Sequence, residues 1–166
     1  MKRLISTLGV IIFAISLTSF FTSPANGQSE PKVKIIVLPQ HEENFNKLAA
    51  WLEKSELFKR KIDFINSIKE TFKAAKEGDI EKYRHWLSIY KSELSKLSEA
   101  EEKELKDFIL SSLKPVKGGD EISPMEVPLC RANCLLTSCE LNSCPTNTKP
   151  KCRCEWFFAD CGCEPY

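Results

Sequence analysis

The eight cysteines of this chain all lie in the last quarter of its 166 residues, and none precedes them. They are Cys130, Cys134, Cys139, Cys144, Cys152, Cys154, Cys161 and Cys163. A segment this short cannot enclose an adequate apolar core, so covalent cross-links must stabilise it. Whatever fold the rest of the chain adopts, we therefore expect a cross-linked module at this end.

The even number of cysteines favours four disulfides. Thiolate coordination of a metal is the alternative, because the segment contains two Cys-x-Cys pairs. Against a metal site, no Cys-x-x-Cys unit is present, and the two histidines, His41 and His85, are far upstream. We therefore predict disulfides and no cofactor, with the connectivity of the bridges left open.

The N-terminal segment has the organisation of a secretory signal peptide. Two basic residues precede an uncharged apolar run over residues 4–21, and a small-residue site follows at residues 25–27. The sequence thus predicts a signal peptide over residues 1–27, with an uncleaved membrane anchor as the alternative. Cleavage makes the protein secreted or periplasmic, free of the membrane, and places it where disulfides persist.

The middle of the chain predicts helices. Residues 28–41 contain a β-branched run between prolines and are expected to form an extended arm or edge strand. Residues 42–114 have helical periodicity without an internal proline. Gly78 is suited to a helix C-cap, Asp79 to the next N-cap, and Ser98 with Glu101 to a capping box. These signals predict three or four antiparallel helices.

Residues 115–128 are rich in proline, glycine and acidic residues and predict a linker. Residues 129–166 form the cysteine-rich disulfide module. The predicted fold class is mainly α: a small three- or four-helix antiparallel bundle, followed by a small disulfide-rich C-terminal module with a short helix plus strands.

The predicted short helix of the module contains Cys130 and Cys134, four residues apart. On a helix these two cysteines share one face, and Cys152 and Cys154 share one face of a strand. This arrangement resembles half of the cysteine-stabilised α/β motif of defensins and scorpion-type toxins. The resemblance implies bridges from the helix to the strand. From Gly118 onward, however, four basic residues oppose seven acidic ones, which argues against a membrane-lytic peptide.

A second resemblance lies in the loop from Cys144 to Cys152. Seven residues separate these cysteines, Pro150 stands two before the second, and a Cys-x-Cys unit follows. The loop is similar to the inhibitory loop of Bowman–Birk protease inhibitors. That resemblance implies that Thr146 occupies the specificity-determining position for an elastase-like protease, and it makes Thr146 and Asn147 candidate binding residues.

The three consecutive aromatic residues Trp156, Phe157 and Phe158 are the best candidate binding site. A module this small is not expected to bury all three, and an exposed aromatic cluster on a rigid scaffold is typical of a binding hot spot. The alternative is that Phe157 packs in the core and Trp156 shields a disulfide.

No pattern in the sequence predicts catalysis or nucleic-acid binding. His85, beside Trp86, has no nucleophile or metal ligand spaced to meet it, and the formal net charge of +1 gives no basic field. We predict a non-enzymatic, secreted protein whose module binds an extracellular protein or glycan, with the helices as scaffold. One alternative is a precursor whose helical pro-region is removed to release an inhibitor-like or toxin-like peptide. The second alternative is a protein that binds a metal through cysteine thiolates.

Overall fold

The computed structural model describes residues 30–116 and 128–166. Its elements, in chain order, are β1 (Val33–Ile36), α1 (Pro39–Lys54), α2 (Ile62–Glu77), α3 (Ile80–Leu94), α4 (Glu99–Ser112), β2 (Cys130–Asn133), β3 (Ser138–Leu141), β4 (Thr148–Glu155) and β5 (Phe158–Pro165). This order confirms the predicted class, with helices first and a disulfide-rich module after them. The predicted signal peptide and most of the predicted linker, from residue 117 to 127, lie outside the described residues.

Local signals place the helix ends where the sequence predicts them. Gly78 has a φ of 70° and ends α2 in the left-handed conformation that favours glycine. The Asp79 carboxylate accepts a hydrogen bond from the Lys82 backbone N–H at 2.9 Å, which caps α3. Ser98 and Glu101 form the predicted capping box of α4. Among the described residues, no helix is long and apolar enough to cross a bilayer.

The predicted start of the first helix, at residue 42, is wrong by one turn. The helix begins at Pro39, inside the predicted arm, because proline at the first helical position is pre-organised for a helix and has no N–H to leave unpaired. His41 completes this start, since its Nδ1 accepts a hydrogen bond from the Leu38 backbone N–H at 2.8 Å. Among the described residues of the arm before Pro39, Val33–Ile36 form β1, which is an edge strand.

The prediction of a short helix in the module is wrong, because residues 130–133 form the strand β2. β2 and β1 both pair antiparallel with β3, giving a three-stranded sheet in the order β1-β3-β2. Cysteines four residues apart share one face of a strand as well as one face of a helix, so the spacing did not distinguish the two. The strand forms because β3 supplies it with a backbone partner.

β4 and β5 form a hairpin, and four disulfides join it to β2, to β3 and to the segments that follow these two strands. The hydrophobic core continues from the helices into this module. Phe157, Phe158 and Leu136 of the module are fully buried in the same cluster as the helical core residues Phe64, Tyr83 and Tyr90, among others. Helices and module therefore share a core and pack as one unit.

Candidate functional site

Every cysteine of the chain is in a disulfide. The bridges are Cys130–Cys152, Cys134–Cys154, Cys139–Cys161 and Cys144–Cys163, with Cα–Cα distances of 5.5 to 6.0 Å. This confirms disulfides over a thiolate cluster, since no sulfur carries a thiolate for a metal. The first two bridges join the pairs that the toxin resemblance implies, although Cys130 lies on the strand β2 and Cys134 directly follows it, instead of both lying on a helix.

The turn between β4 and β5 separates the three aromatic residues that were predicted as one binding site. Phe157 and Phe158 are fully buried. The ring of Phe158 packs edge-to-face on Tyr90, with the ring centroids 5.1 Å apart. Both phenylalanines are therefore core residues and offer no surface to a partner, because the helices supply the apolar partners that the module alone lacks.

Trp156, by contrast, is half-buried at the tip of the hairpin. Its φ of 55° lies in the left-handed region, where a bulky side chain is an outlier. The conformation turns Phe157 inward, where its carbonyl accepts a hydrogen bond from the Leu136 backbone N–H at 2.8 Å. The indole packs in part against the shared core and is otherwise exposed, with Lys106 Nζ of α4 5.1 Å from the ring centroid. Lys106 is a site residue that no sequence pattern indicated.

A network of ion pairs lies beside the tip on the outer face of the hairpin. Lys91 Nζ of α3 lies 2.6 Å from Asp160 Oδ2 and 3.6 Å from Glu155 Oε1. Arg153 Nε lies 2.5 Å from the same Glu155 oxygen. Two cations and two carboxylates thus surround the base of the Trp156 turn, and Lys91 ties the hairpin to the helices. A mixed polar rim around an aromatic residue is typical of a protein-binding surface.

Thr146 and Asn147 form an exposed turn before β4. Asn147 has a φ of 66°, and the Thr148 hydroxyl donates to the Pro145 carbonyl at 2.6 Å. β4 separates this turn from Trp156 by eight residues, or roughly 25 Å of strand, so the two predicted sites do not form one surface.

The bridges do not close the loop between Cys144 and Cys152. These cysteines bond to Cys163 and Cys130 instead of to each other, and Pro150 is in the regular pairing of β4 opposite Cys163. The likeness to the inhibitory loop is therefore confined to the spacing of residues in the sequence. Inhibition through Thr146 lacks the constrained loop that such an inhibitor presents.

Buried polar side chains connect the helices to the module. The Tyr83 hydroxyl donates to the Ala159 carbonyl at 2.6 Å, and the Thr137 hydroxyl accepts from the Ala159 N–H at 2.9 Å. Burial raises the pKa of Tyr83 above its usual range. Asn44 of α1 donates to the Leu135 carbonyl at 2.9 Å. These bonds satisfy groups that would otherwise be costly to bury.

His41 is the buried titratable group of this connection. Its Nε2 lies 3.4 Å from the Ser138 hydroxyl of β3, although the two residues are 97 positions apart in the sequence. Burial away from water lowers the pKa of His41 to about 4, against a smaller raising effect of the Cys134 backbone. His85, in contrast, is exposed on α3, where its ring packs edge-to-face on Trp86 with the ring centroids 5.6 Å apart.

Comparison with known proteins gave no match to a family model, to a curated protein or to a solved structure.

Proposed function

We propose that this is an exported, non-catalytic binding protein whose disulfide-linked hairpin presents Trp156 to an extracellular protein, with the helices as scaffold. The observation that carries the proposal is the left-handed backbone of Trp156 at an accessible hairpin tip. Such a conformation costs about 1–3 kcal/mol for a residue with a large side chain, and glycine would avoid that cost. A tryptophan there is better explained by a role of its ring than by the turn.

The surroundings of Trp156 support a protein partner. Four disulfides restrain the hairpin, so little conformational entropy is lost on docking. The nearby network of Lys91, Arg153, Glu155 and Asp160 supplies donors and acceptors of both signs. Tryptophan inside a polar rim is the composition of many binding hot spots.

Export is supported by the disulfides, which are typical of proteins that fold outside the reducing cytosol. Release of the module as a free peptide is disfavoured, because it would expose Phe157 and Phe158 and separate β1 from β3. Intact-mass analysis of the exported protein distinguishes these alternatives. We expect one species that begins near Gln28 and contains both halves, whereas a free C-terminal fragment would support the precursor.

Partner binding is tested by immobilising the mature protein beside its Trp156→Ala variant. Ile62→Ala is the matched control, because Ile62 is an exposed apolar side chain at the start of α2. Extracellular material from the source of the protein is passed over all three, and bound species are identified by mass spectrometry. We expect a protein that the parent chain and Ile62→Ala retain and Trp156→Ala does not. Equal retention by all three would contradict the proposal, and loss of retention after glycosidase treatment would assign a glycan.

A further inference from the structure

A groove of about 410 Å³ runs between α3 and β5, away from Trp156 at the hairpin tip. One wall is a single face of α3 that includes Arg84, Leu87 and Lys91. The other wall is four consecutive residues of β5, from Asp160 to Cys163, and Pro31, before β1, also lines the groove. From Arg84 to Lys91 the helix rises about 10 Å, and the three steps from Asp160 to Cys163 cover a similar length. The groove therefore lies between a helix face and a strand edge of matching length.

The strand edge in this groove is open. β5 pairs with β4 on one side, and the two strands form a sheet of their own. The backbone N–H and C=O of Ala159 point away from β4, since they bond to Thr137 and Tyr83. Because backbone direction alternates along a strand, the same groups of Cys161 and Cys163 also point away from β4. Within the described part of the chain, no hydrogen bond fills these outward positions at Cys161 and Cys163.

The charge of the groove is positive. Lys91 is neutralised by Asp160, whose Oδ2 lies 2.6 Å from Lys91 Nζ. Arg84 is exposed at the groove wall, and it forms no ion pair with any residue that the structure describes. A guanidinium at this position is suited to a carboxylate on a ligand that follows the strand.

We infer that this groove binds an extended acidic peptide segment of a partner protein. The segment adds to the β4–β5 hairpin as a third strand, with its backbone hydrogen-bonded to Cys161 and Cys163 and a carboxylate side chain on Arg84. Strand addition at an open edge, with side-chain pockets supplied by a neighbouring helix, is an established mode of peptide recognition. The groove shares Lys91 and Asp160 with the ion-pair network beside Trp156, but Trp156 does not line it, and the inference stands without the role proposed for that residue.

The test uses the full mature protein with its disulfides intact and a short fluorescein-labelled peptide of alternating valine and glutamate. Fluorescence anisotropy measures binding to the parent protein and to four variants. Arg84→Glu reverses the charge of the groove, and Ser88→Trp fills it from the exposed side of α3. Arg60→Glu makes the same charge change in the turn before α2 and serves as the matched control. Trp156→Ala reports on the hairpin tip.

We expect saturable binding that Arg84→Glu and Ser88→Trp each weaken by about tenfold or more, whereas Arg60→Glu and Trp156→Ala leave it unchanged. The amide resonances of Cys161 and Cys163 should shift on binding, and a peptide N-methylated at alternate residues should bind far more weakly. Absence of binding at millimolar peptide would overturn the inference. So would equal weakening by Arg60→Glu, or equal affinity for a valine–lysine peptide. Because Trp156→Ala is in the series, failure here is separable from failure of the proposed function.

Discussion

The buried imidazole of His41 makes the stability of the fold depend on pH in the mildly acidic range. His41 is fully buried between the start of α1 and β3. Its Nδ1 accepts the Leu38 N–H, so the proton of the neutral ring is assigned to Nε2, which faces Ser138. A second proton on Nδ1 would place two donors against each other and bury a charge. The folded protein therefore disfavours the imidazolium, and the pKa of His41 falls to about 4.

The size and sign of the effect follow from the two pKa values. In the unfolded chain the imidazole has its ordinary pKa of 6.5, so between pH 6.5 and 4 the unfolded chain binds more protons than the folded one. The contribution of His41 is complete above about pH 6.5 and is lost as the pH falls towards 4. A difference of about 2.5 pH units corresponds to about 3 kcal/mol, a substantial part of the stability of a small protein.

The assay is urea unfolding, followed by circular dichroism, at a series of pH values from neutral to pH 4.5. His41→Gln is the informative variant. A glutamine at this helix position accepts the Leu38 N–H as in a capping box and donates to Ser138, yet it does not titrate. His85→Gln removes the exposed imidazole and serves as the control.

We expect the free energy of unfolding of the parent protein and of His85→Gln to fall together with acidification, and that of His41→Gln to fall much less. Hydrogen bonds from Lys47 and Lys151 lower the pKa values of Glu43 and Glu164, respectively. These two carboxylates lose their contributions to the free energy of unfolding below about pH 4.5. The range above that pH therefore reports mainly on His41. Parallel curves for His41→Gln and the parent protein would refute the burial of a neutral imidazole.

Three further predictions concern the module. Phe158→Ala should lower the free energy of unfolding by about 3–5 kcal/mol, because the ring fills the shared core, and helices and strands should still unfold in one transition. A loss below about 1 kcal/mol would contradict the shared core. Trp156→Gly should be more stable in thermal unfolding than Trp156→Ala by about 1 kcal/mol, since glycine relieves the left-handed strain; the reverse order would argue against strain. Replacing Cys134 and Cys154 together by serine should cost about 3 kcal/mol in urea unfolding, because the bridge closes a loop between cysteines 20 positions apart in the sequence. An unchanged midpoint would exclude this bridge.

The helices were predictable because their signals are local. The left-handed C-cap at Gly78, the N-cap at Asp79 and the capping box at Ser98 each depend on residues within one turn. The disulfides were equally predictable as a set, because the count and clustering of cysteines require them in so short a segment. What the spacing left open was the connectivity, since several pairings are sterically equivalent before the strands are placed.

The strand β2, the partner of β1 and the positions of the aromatic residues depended on contacts between distant parts of the chain. Residues 33–36 pair with residues more than a hundred positions away, a separation that no periodicity encodes. The module looked too small to bury all three aromatic residues, and Phe157 and Phe158 are buried because α3 provides Tyr83 and Tyr90 as packing partners. His41 likewise acquires its low pKa only where β3 and α1 exclude water from it. Local backbone preferences therefore decided where helices start and stop, and the number and clustering of cysteines decided that cross-links form. The shared apolar core decided which of the three aromatic residues of the hairpin, Trp156, remained partly exposed.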